Sequence, residues 1–187
     1  MQRTGINRKR LIIFIVAIIG IAVFVLLDRL TKNVFADLYE KNGNTVIIKD
    51  FFFFSLAKNS GSAYGFLSDV SWGQTFFKIL TPVALVAFFV VLYFSVKLNY
   101  KTLLVGISLV ISGTIGNFID RIFFGEVTDF IVIRVGGVDI FGIFNLADVL
   151  MTVGIILVFV HLLFLGKDAL FKGKNGNEKN SVDKSDD

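Results

Sequence analysis

Cysteine is absent from this chain of 187 residues, and histidine, proline and tryptophan occur once each. Without cysteine there is no disulfide, no thiolate metal site and no cysteine nucleophile. A single histidine excludes multi-histidine metal sites. Charge is also missing from long stretches. Asp, Glu, Lys and Arg make up 18% of the residues and leave four windows entirely free of them, Leu11–Leu27, Ile79–Val96, Thr102–Ile119 and Val149–Leu165. H-E-x-x-H, the phosphate-binding P-loop, G-x-G-x-x-G and the D-[ST]-G signature of soluble aspartic proteases do not occur.

What remains is apolar: 55% hydrophobic residues, 22 phenylalanines and a mean hydropathy of +0.75, too high for a soluble domain of this size. Each uncharged window has 17 or 18 residues, close to the roughly 20 that cross about 30 Å of hydrocarbon at ~1.5 Å per residue. Lipid offers the backbone no hydrogen-bond partners, so the windows must be helices. The first follows Arg8-Lys9-Arg10 as a signal peptide would. Its apolar core is long, however, no A-x-A-like cleavage site follows, and three more spans come after it. The expected fold class is an α-helical integral membrane protein with four transmembrane helices and a small extracytoplasmic β-rich cap. Residues 1–166 form one membrane-embedded domain, and the polar segment 167–187 is a disordered cytoplasmic tail.

The flanking charges orient the bundle. Four basic residues and no acid precede Leu11, and the link Lys97–Lys101 holds two basic residues and no acid. The two longer loops together hold eight basic and ten acidic residues. The positive-inside rule puts both termini and the short link in the cytoplasm and the long loops outside. Basic residues that border apolar runs point to membrane topology rather than to nucleic acid. In the first long loop, Asn42-Gly43 is a hairpin signal, with strands expected between Val46 and Phe54. In the second, Val127–Val135 and Val138–Phe144 flank Gly136-Gly137, and one small sheet from both loops is expected. Phe51–Phe54 and Trp72 suit the membrane interface.

Polar residues gather at one end of the spans. Asp28 ends the first, with Lys32 four residues on; Asn117, Asp120 and Arg121 end the third; Asn145 and Asp148 begin the fourth. Polar groups at that depth face a protein interior or a wet cavity. Asp28–Lys32 and Asn117–Arg121 are i, i+4 pairs that can lock helix faces, and that structural role is the plainer reading. Asp129 and Asp148 can converge near the outer membrane surface. Two carboxylates sharing one proton can hydrolyse an amide without a metal: one takes a proton from water while the other donates to the carbonyl. Ser55-Leu56-Ala57-Lys58 matches S-x-x-K, but the motifs that accompany it are missing. His161 lies toward the opposite end of its span and reads as a packing residue.

Five blocks carry a family resemblance: Asp28-Arg29-Leu30-Thr31-Lys32, Asn59-Ser60-Gly61-Ser62-Ala63-Tyr64-Gly65, the run Ser112 to Arg121 containing Gly116-Asn117 and Ile119-Asp120-Arg121, Val127-Thr128-Asp129-Phe130-Ile131, and Phe144-Asn145-Leu146-Ala147-Asp148. In that order and spacing the chain resembles the prolipoprotein signal peptidases, or signal peptidase II. The resemblance implies that Asp129 and Asp148 are the catalytic pair. It also implies that Asp28, Lys32, Asn59, Gly65, Asn117, Asp120, Arg121 and Asn145 shape or support the site. It further implies a bacterial cytoplasmic-membrane enzyme with its site near the outer leaflet. Such an enzyme cuts lipid-modified prolipoproteins just before the lipidated cysteine, needs no cofactor or metal, and is inhibited by globomycin. A monomer surrounded by membrane lipid is expected, with no nucleic-acid partner. Ser62, Tyr64, Ser112 and Thr114 depart from the usual Ala, Phe, Gly and Ala. On pattern alone, a small four-span transporter or channel and a non-enzymatic membrane scaffold stay open. A transporter would place polar residues along the full depth of its spans, and a scaffold would tolerate loss of either Asp.

Overall fold

The computed structural model describes residues 8–61 and 72–166. Four helices are long and apolar enough to cross a membrane, and a small antiparallel sheet accompanies them, as the charge-free windows predict. In chain order these are α1 (Arg8–Asn42), β1 (Thr45–Ile48), β2 (Phe52–Asn59), α2 (Gly73–Leu98), α3 (Lys101–Phe123), β3 (Val127–Val135), β4 (Val138–Phe144) and α4 (Leu146–Val160). A π-helical turn, His161–Leu165, prolongs α4.

The first helix corrects one expectation. It does not stop at Asp28 but runs to Asn42, 35 residues in all, or about 52 Å at ~1.5 Å per residue. The uncharged window measured the hydrocarbon, not the helix: no Gly or Pro interrupts 28–42, and Lys32 pairs with Asp28 one turn back at 2.8 Å. Asn42-Gly43 is not a hairpin turn. Gly43, at φ +66°, donates its N–H to the Tyr39 carbonyl (2.8 Å) and ends α1 as a left-handed cap. The hairpin turn lies later, at 49–51, where Asp50 has φ 58°. The Gly136-Gly137 turn does join β3 to β4, with φ of +61° and +82°.

α3 is the central helix. Some 44% of its apolar window is buried, against 11–17% for the other three, whose leucines, isoleucines and phenylalanines face outward. Ile21, Leu92, Ile107, Val110 and Ile111 form the core of the bundle. α3 and α4 touch backbone to backbone. A Cβ on Gly106 would lie 2.9 Å from the Gly154 carbonyl oxygen, one on Gly154 2.6 Å from that of Gly106, and one on Gly113 would strike the Ala147 carbonyl. Small residues permit this approach, which dispersion and packing reward in the absence of a hydrophobic drive between helices in lipid.

The strands run β1-β2-β3-β4 in one antiparallel sheet. The part of α1 beyond the uncharged window supports it. Phe35 stacks on Phe130 (centroids 4.5 Å) and packs against Phe54 (3.9 Å). That contact fixes β2 and β3 over the end of the bundle where α3 finishes and α4 begins. His161 sits at the other end, buried, its ring 4.7 Å from that of Tyr100 in the α2–α3 link.

Candidate active site

Asn145 is the hinge of the site. It is the N-cap of α4, and its side-chain oxygen accepts the Asp148 N–H at 3.0 Å while the Asp148 carboxylate accepts the Asn145 N–H at 3.0 Å. This is a capping box, with Asp in the usual Glu/Gln place. The reciprocal bonds fix both side chains before any tertiary contact is considered. With its oxygen committed, the Asn145 amide nitrogen points across to β3 and donates to Asp129 Oδ1 at 2.6 Å. One residue thus holds both carboxylates, Asp148 through its main chain and Asp129 through its side chain.

Two further asparagines repeat the logic. Asn59, at the end of β2, accepts the Gly61 N–H on Oδ1 (3.0 Å), which turns its amide nitrogen toward Asp129 Oδ2 at 3.1 Å. Asn117 on α3 accepts from Lys32 Nζ and from Asn145 Nδ2, both at 3.0 Å, which turns its own nitrogen toward Asp148 Oδ1 at 2.8 Å. Strand pairing of Ala57 with Asp129 seals the β2 side. Asp129 and Asn145 are 2% and 0% exposed. Burial, and then the neighbouring Asp148 charge, push the Asp129 carboxyl from the ordinary 3.8 to about 7, against the lowering effect of the Asn59 and Asn145 hydrogen bonds.

Beneath the pair lies a buried ionic cluster. The Lys32 ammonium, 1% exposed, meets Asp28 Oδ2 at 2.8 Å, Asp120 Oδ2 at 3.0 Å and the Asn117 oxygen, which uses all three of its donors. Arg29 Nη1 reaches Asp120 Oδ1 at 2.9 Å. Two cations face two anions, so the cluster is neutral, the condition on which buried charges are tolerated. Each anion also grips the backbone one residue ahead of a carboxylate. Asp28 Oδ1 accepts the Ala147 N–H (2.9 Å) and Asp120 Oδ2 the Thr128 N–H (3.1 Å). Gly116 keeps room for this: a Cβ there would lie 2.6 Å from Asp28 Oδ2.

A family model described as signal peptidase (SPase) II matches residues 12–164. The chain belongs to the signal peptidase II family. Its relatives include the lipoprotein signal peptidases of Staphylococcus aureus strains JH9 and Newman, each 41% identical over 153 residues, covering 80% of this chain and 90% of the relative. A solved structure described as a bacterial membrane enzyme, determined by the in meso method at 2.3 Å resolution, aligns with a TM-score of 0.68 and 36% identity, over 79% of this chain and 87% of that one. This signal peptidase II chain is accordingly a bacterial membrane protein and a protease by family.

In this signal peptidase II chain, Asp129, Asp148, Asn59, Asn117, Asn145, Asp28, Lys32, Asp120 and Arg121 all meet at one end of the bundle. Gly65, with Ser62 and Tyr64, lies outside the described residues. The Asp28–Lys32 pair forms as its spacing predicts. The Asn117–Arg121 pair does not form between side chains. Arg121 Nη1 reaches the Asn117 backbone carbonyl (3.3 Å), because the Asn117 side-chain oxygen already accepts from Lys32 and Asn145, and Nη2 donates to the Gly61 carbonyl at 2.7 Å. Arg121 Nε is buried with no hydrogen-bond partner among the described residues. Lys58 of the S-x-x-K pattern donates to Thr128 Oγ1 at 2.9 Å. Sequence reasoning missed the ionic role of Arg29 and the backbone anchors at Thr128 and Ala147. Arg29, a third charge between Asp28 and Lys32 at a span end, was the available signal; the backbone anchors had none.

Proposed function

We propose that this chain is an aspartic endopeptidase of the bacterial cytoplasmic membrane that removes signal peptides from lipid-modified prolipoproteins, cutting the bond before the lipidated cysteine. Family membership and the names of the relatives supply the substrate class. The observation that carries the mechanism is Asn145, whose side chain donates to Asp129 at 2.6 Å while its main chain donates to Asp148 at 3.0 Å. The two carboxylates are thereby held around one residue, in a setting where burial raises the proton affinity of Asp129 to about 7.

In this reading Asp129 keeps the shared proton near neutral pH and Asp148 acts as base. Asp148 takes a proton from water as the water oxygen bonds to the scissile carbonyl carbon, and Asp129 protonates the carbonyl oxygen. The resulting gem-diol collapses: one hydroxyl returns its proton to Asp129, the C–N bond breaks, and the amine nitrogen leaves with the proton held by Asp148. The site sits near the outer leaflet, with both termini cytoplasmic, because basic residues concentrate at the opposite ends of the helices. At that depth a diacylglyceryl group anchors the substrate by burying its methylenes at roughly 0.8 kcal/mol each. The working unit is a monomer bathed in membrane lipid, with 1–166 as the peptidase domain, 167–187 as an appended tail, and globomycin as an inhibitor.

The test is cleavage of a purified diacylglyceryl-modified prolipoprotein by wild type, Asp129→Asn and Asp148→Asn, with a chelator present. Both substitutions keep volume and remove the titratable proton. Each is expected to abolish cleavage at equal folded protein, with the chelator harmless to wild type. Cleavage retained by both variants would falsify the mechanism.

A further inference from the structure

A hydroxyl inside an apolar helix has a ready partner in the carbonyl one turn back. In α3 and α4, Ser108, Ser112 and Thr152 use it, donating to the Leu104, Ser108 and Asp148 carbonyls at 2.7, 2.7 and 2.8 Å. Thr114 does not. Its Oγ1 turns away from its own helix and donates to Met151 Sδ on α4 at 3.7 Å, and among the described residues it has no other hydrogen bond. A thioether is a weak acceptor, and a methionine side chain is flexible enough to give the contact up. Thr114 is therefore a half-buried donor resting on a poor acceptor. Gly113 makes room for the arrangement, since a Cβ there would lie 2.6 Å from Met151 Cγ.

Its position gives this donor a use. Thr114 lies three residues before Asn117 on α3, and Met151 three residues after Asp148 on α4. Their contact therefore joins the same two helices as the Asn117–Asp148 hydrogen bond, about 4.5 Å deeper in the bilayer at ~1.5 Å per residue. On the function proposed above, on which this inference rests, the substrate comes from that side. Its apolar segment fills the bilayer as a helix, and its lipidated cysteine stays at the outer leaflet. The chain must leave the helix where it is cut, because a helical carbonyl is already bonded and shielded. The last carbonyls of the helix then have no intrahelical partner, and lipid supplies none. We propose that Thr114 Oγ1 exchanges the Met151 sulfur for one of those carbonyls and so binds the substrate backbone just before the scissile bond. Alanine, the usual residue at this place in the family pattern, carries no such donor, so the contact adds to what Asn59, Asn117 and Asn145 provide.

The test is steady-state cleavage of a diacylglyceryl-modified prolipoprotein in mixed micelles by the purified full chain and three variants, beside their unfolding temperatures. Thr114→Val keeps the shape and removes the donor. It is expected to raise KM about fivefold to tenfold, the worth of one hydrogen bond, with kcat within about twofold and the unfolding temperature unchanged. Thr114→Ser keeps a hydroxyl and is expected to hold KM within about twofold of wild type. Met151→Leu conserves volume, removes the sulfur and frees the hydroxyl, so KM is expected at or below the wild-type value. A hydroxyl that served only to hold Met151 would give Met151→Leu the same raised KM as Thr114→Val. That result would overturn the inference, and so would a wild-type KM in Thr114→Val. Both are distinct from failure of the underlying reading, in which wild type itself leaves the substrate uncut and the inference falls with it.

Discussion

The amides around the two carboxylates can each be oriented in only one way. Asn59, Asn117 and Asn145 commit their oxygens to the Gly61 N–H, to Lys32 with Asn145, and to the Asp148 N–H, so all three NH₂ groups are left for Asp129 and Asp148. Donors of this kind favour ionised carboxylates, yet burial and the neighbouring Asp148 outweigh them at Asp129, which rises to about 7. The sign for stability follows. A carboxyl whose folded value lies above its unfolded 3.8 contributes stability that is complete below about 3.8 and lost as pH climbs through about 7. Thermal unfolding of wild type is expected to move to lower temperature between about pH 4 and pH 7, and that slope is expected to flatten in Asp129→Asn. Cleavage is expected to fall above about pH 7, as the shared proton leaves. An identical slope in the two proteins would count against the raised proton affinity.

Glycine decides how the elements fit. Gly106, Gly113 and Gly116 face α4 and Asp28, while Gly20 on α1 has nothing within 4 Å of its would-be Cβ. Adding a methyl to a helix glycine with free space gains up to about 1 kcal/mol through propensity. Adding one against a backbone carbonyl forces the helices apart, and overpacking costs typically 1–3 kcal/mol. Gly20→Ala is therefore expected to hold or raise the unfolding temperature, and Gly113→Ala to lower it with loss of activity, since α4 carries Asn145 and Asp148. Equal behaviour of the two variants would mean that the α3–α4 contact tolerates spacing. The strands obey the same local economy. Gly136-Gly137 was legible as a turn because both residues need positive φ, whereas Asn42-Gly43 carries the same signal and serves a helix end instead. A short-range signal marks a left-handed residue; what precedes it decides whether the turn joins strands or caps a helix.

Lys32 connects more of the molecule than any other side chain near the site. Through Asp28 it reaches the Ala147 N–H on α4, through Asp120 the Thr128 N–H on β3, and through Asn117 the Asp148 carboxylate. Removing the ammonium leaves Asp28 buried without a cation and Asp120 paired with Arg29 alone. Breaking such a cluster costs on the order of 3–5 kcal/mol, and a displacement of about 1 Å at reacting groups costs roughly 100-fold in rate. Lys32→Met is expected to lower both unfolding temperature and kcat, with KM little changed and the alkaline limb of the pH–rate profile displaced. A purely structural Lys32 would reduce the amount of folded protein while the surviving fraction kept wild-type kcat and pH profile.

Span number, the two β segments of the second loop and the clustering of polar residues at one end were fixed by composition and order alone, because lipid permits only helices across it and penalises stray polar groups wherever they fall. Those rules act locally along the chain, so they can be read from it. The length of α1, the use of Asn42-Gly43 as a cap, the diversion of Arg121 to the Gly61 carbonyl and the ties from Asp28 and Asp120 to main-chain N–H groups were decided by tertiary structure. A charged side chain states that it needs a partner. Which of several partners, from residues as far apart as 28 and 147, is settled by packing: small residues let α3 and α4 meet, Phe35 seats the sheet, and the donors and acceptors left over must then satisfy one another.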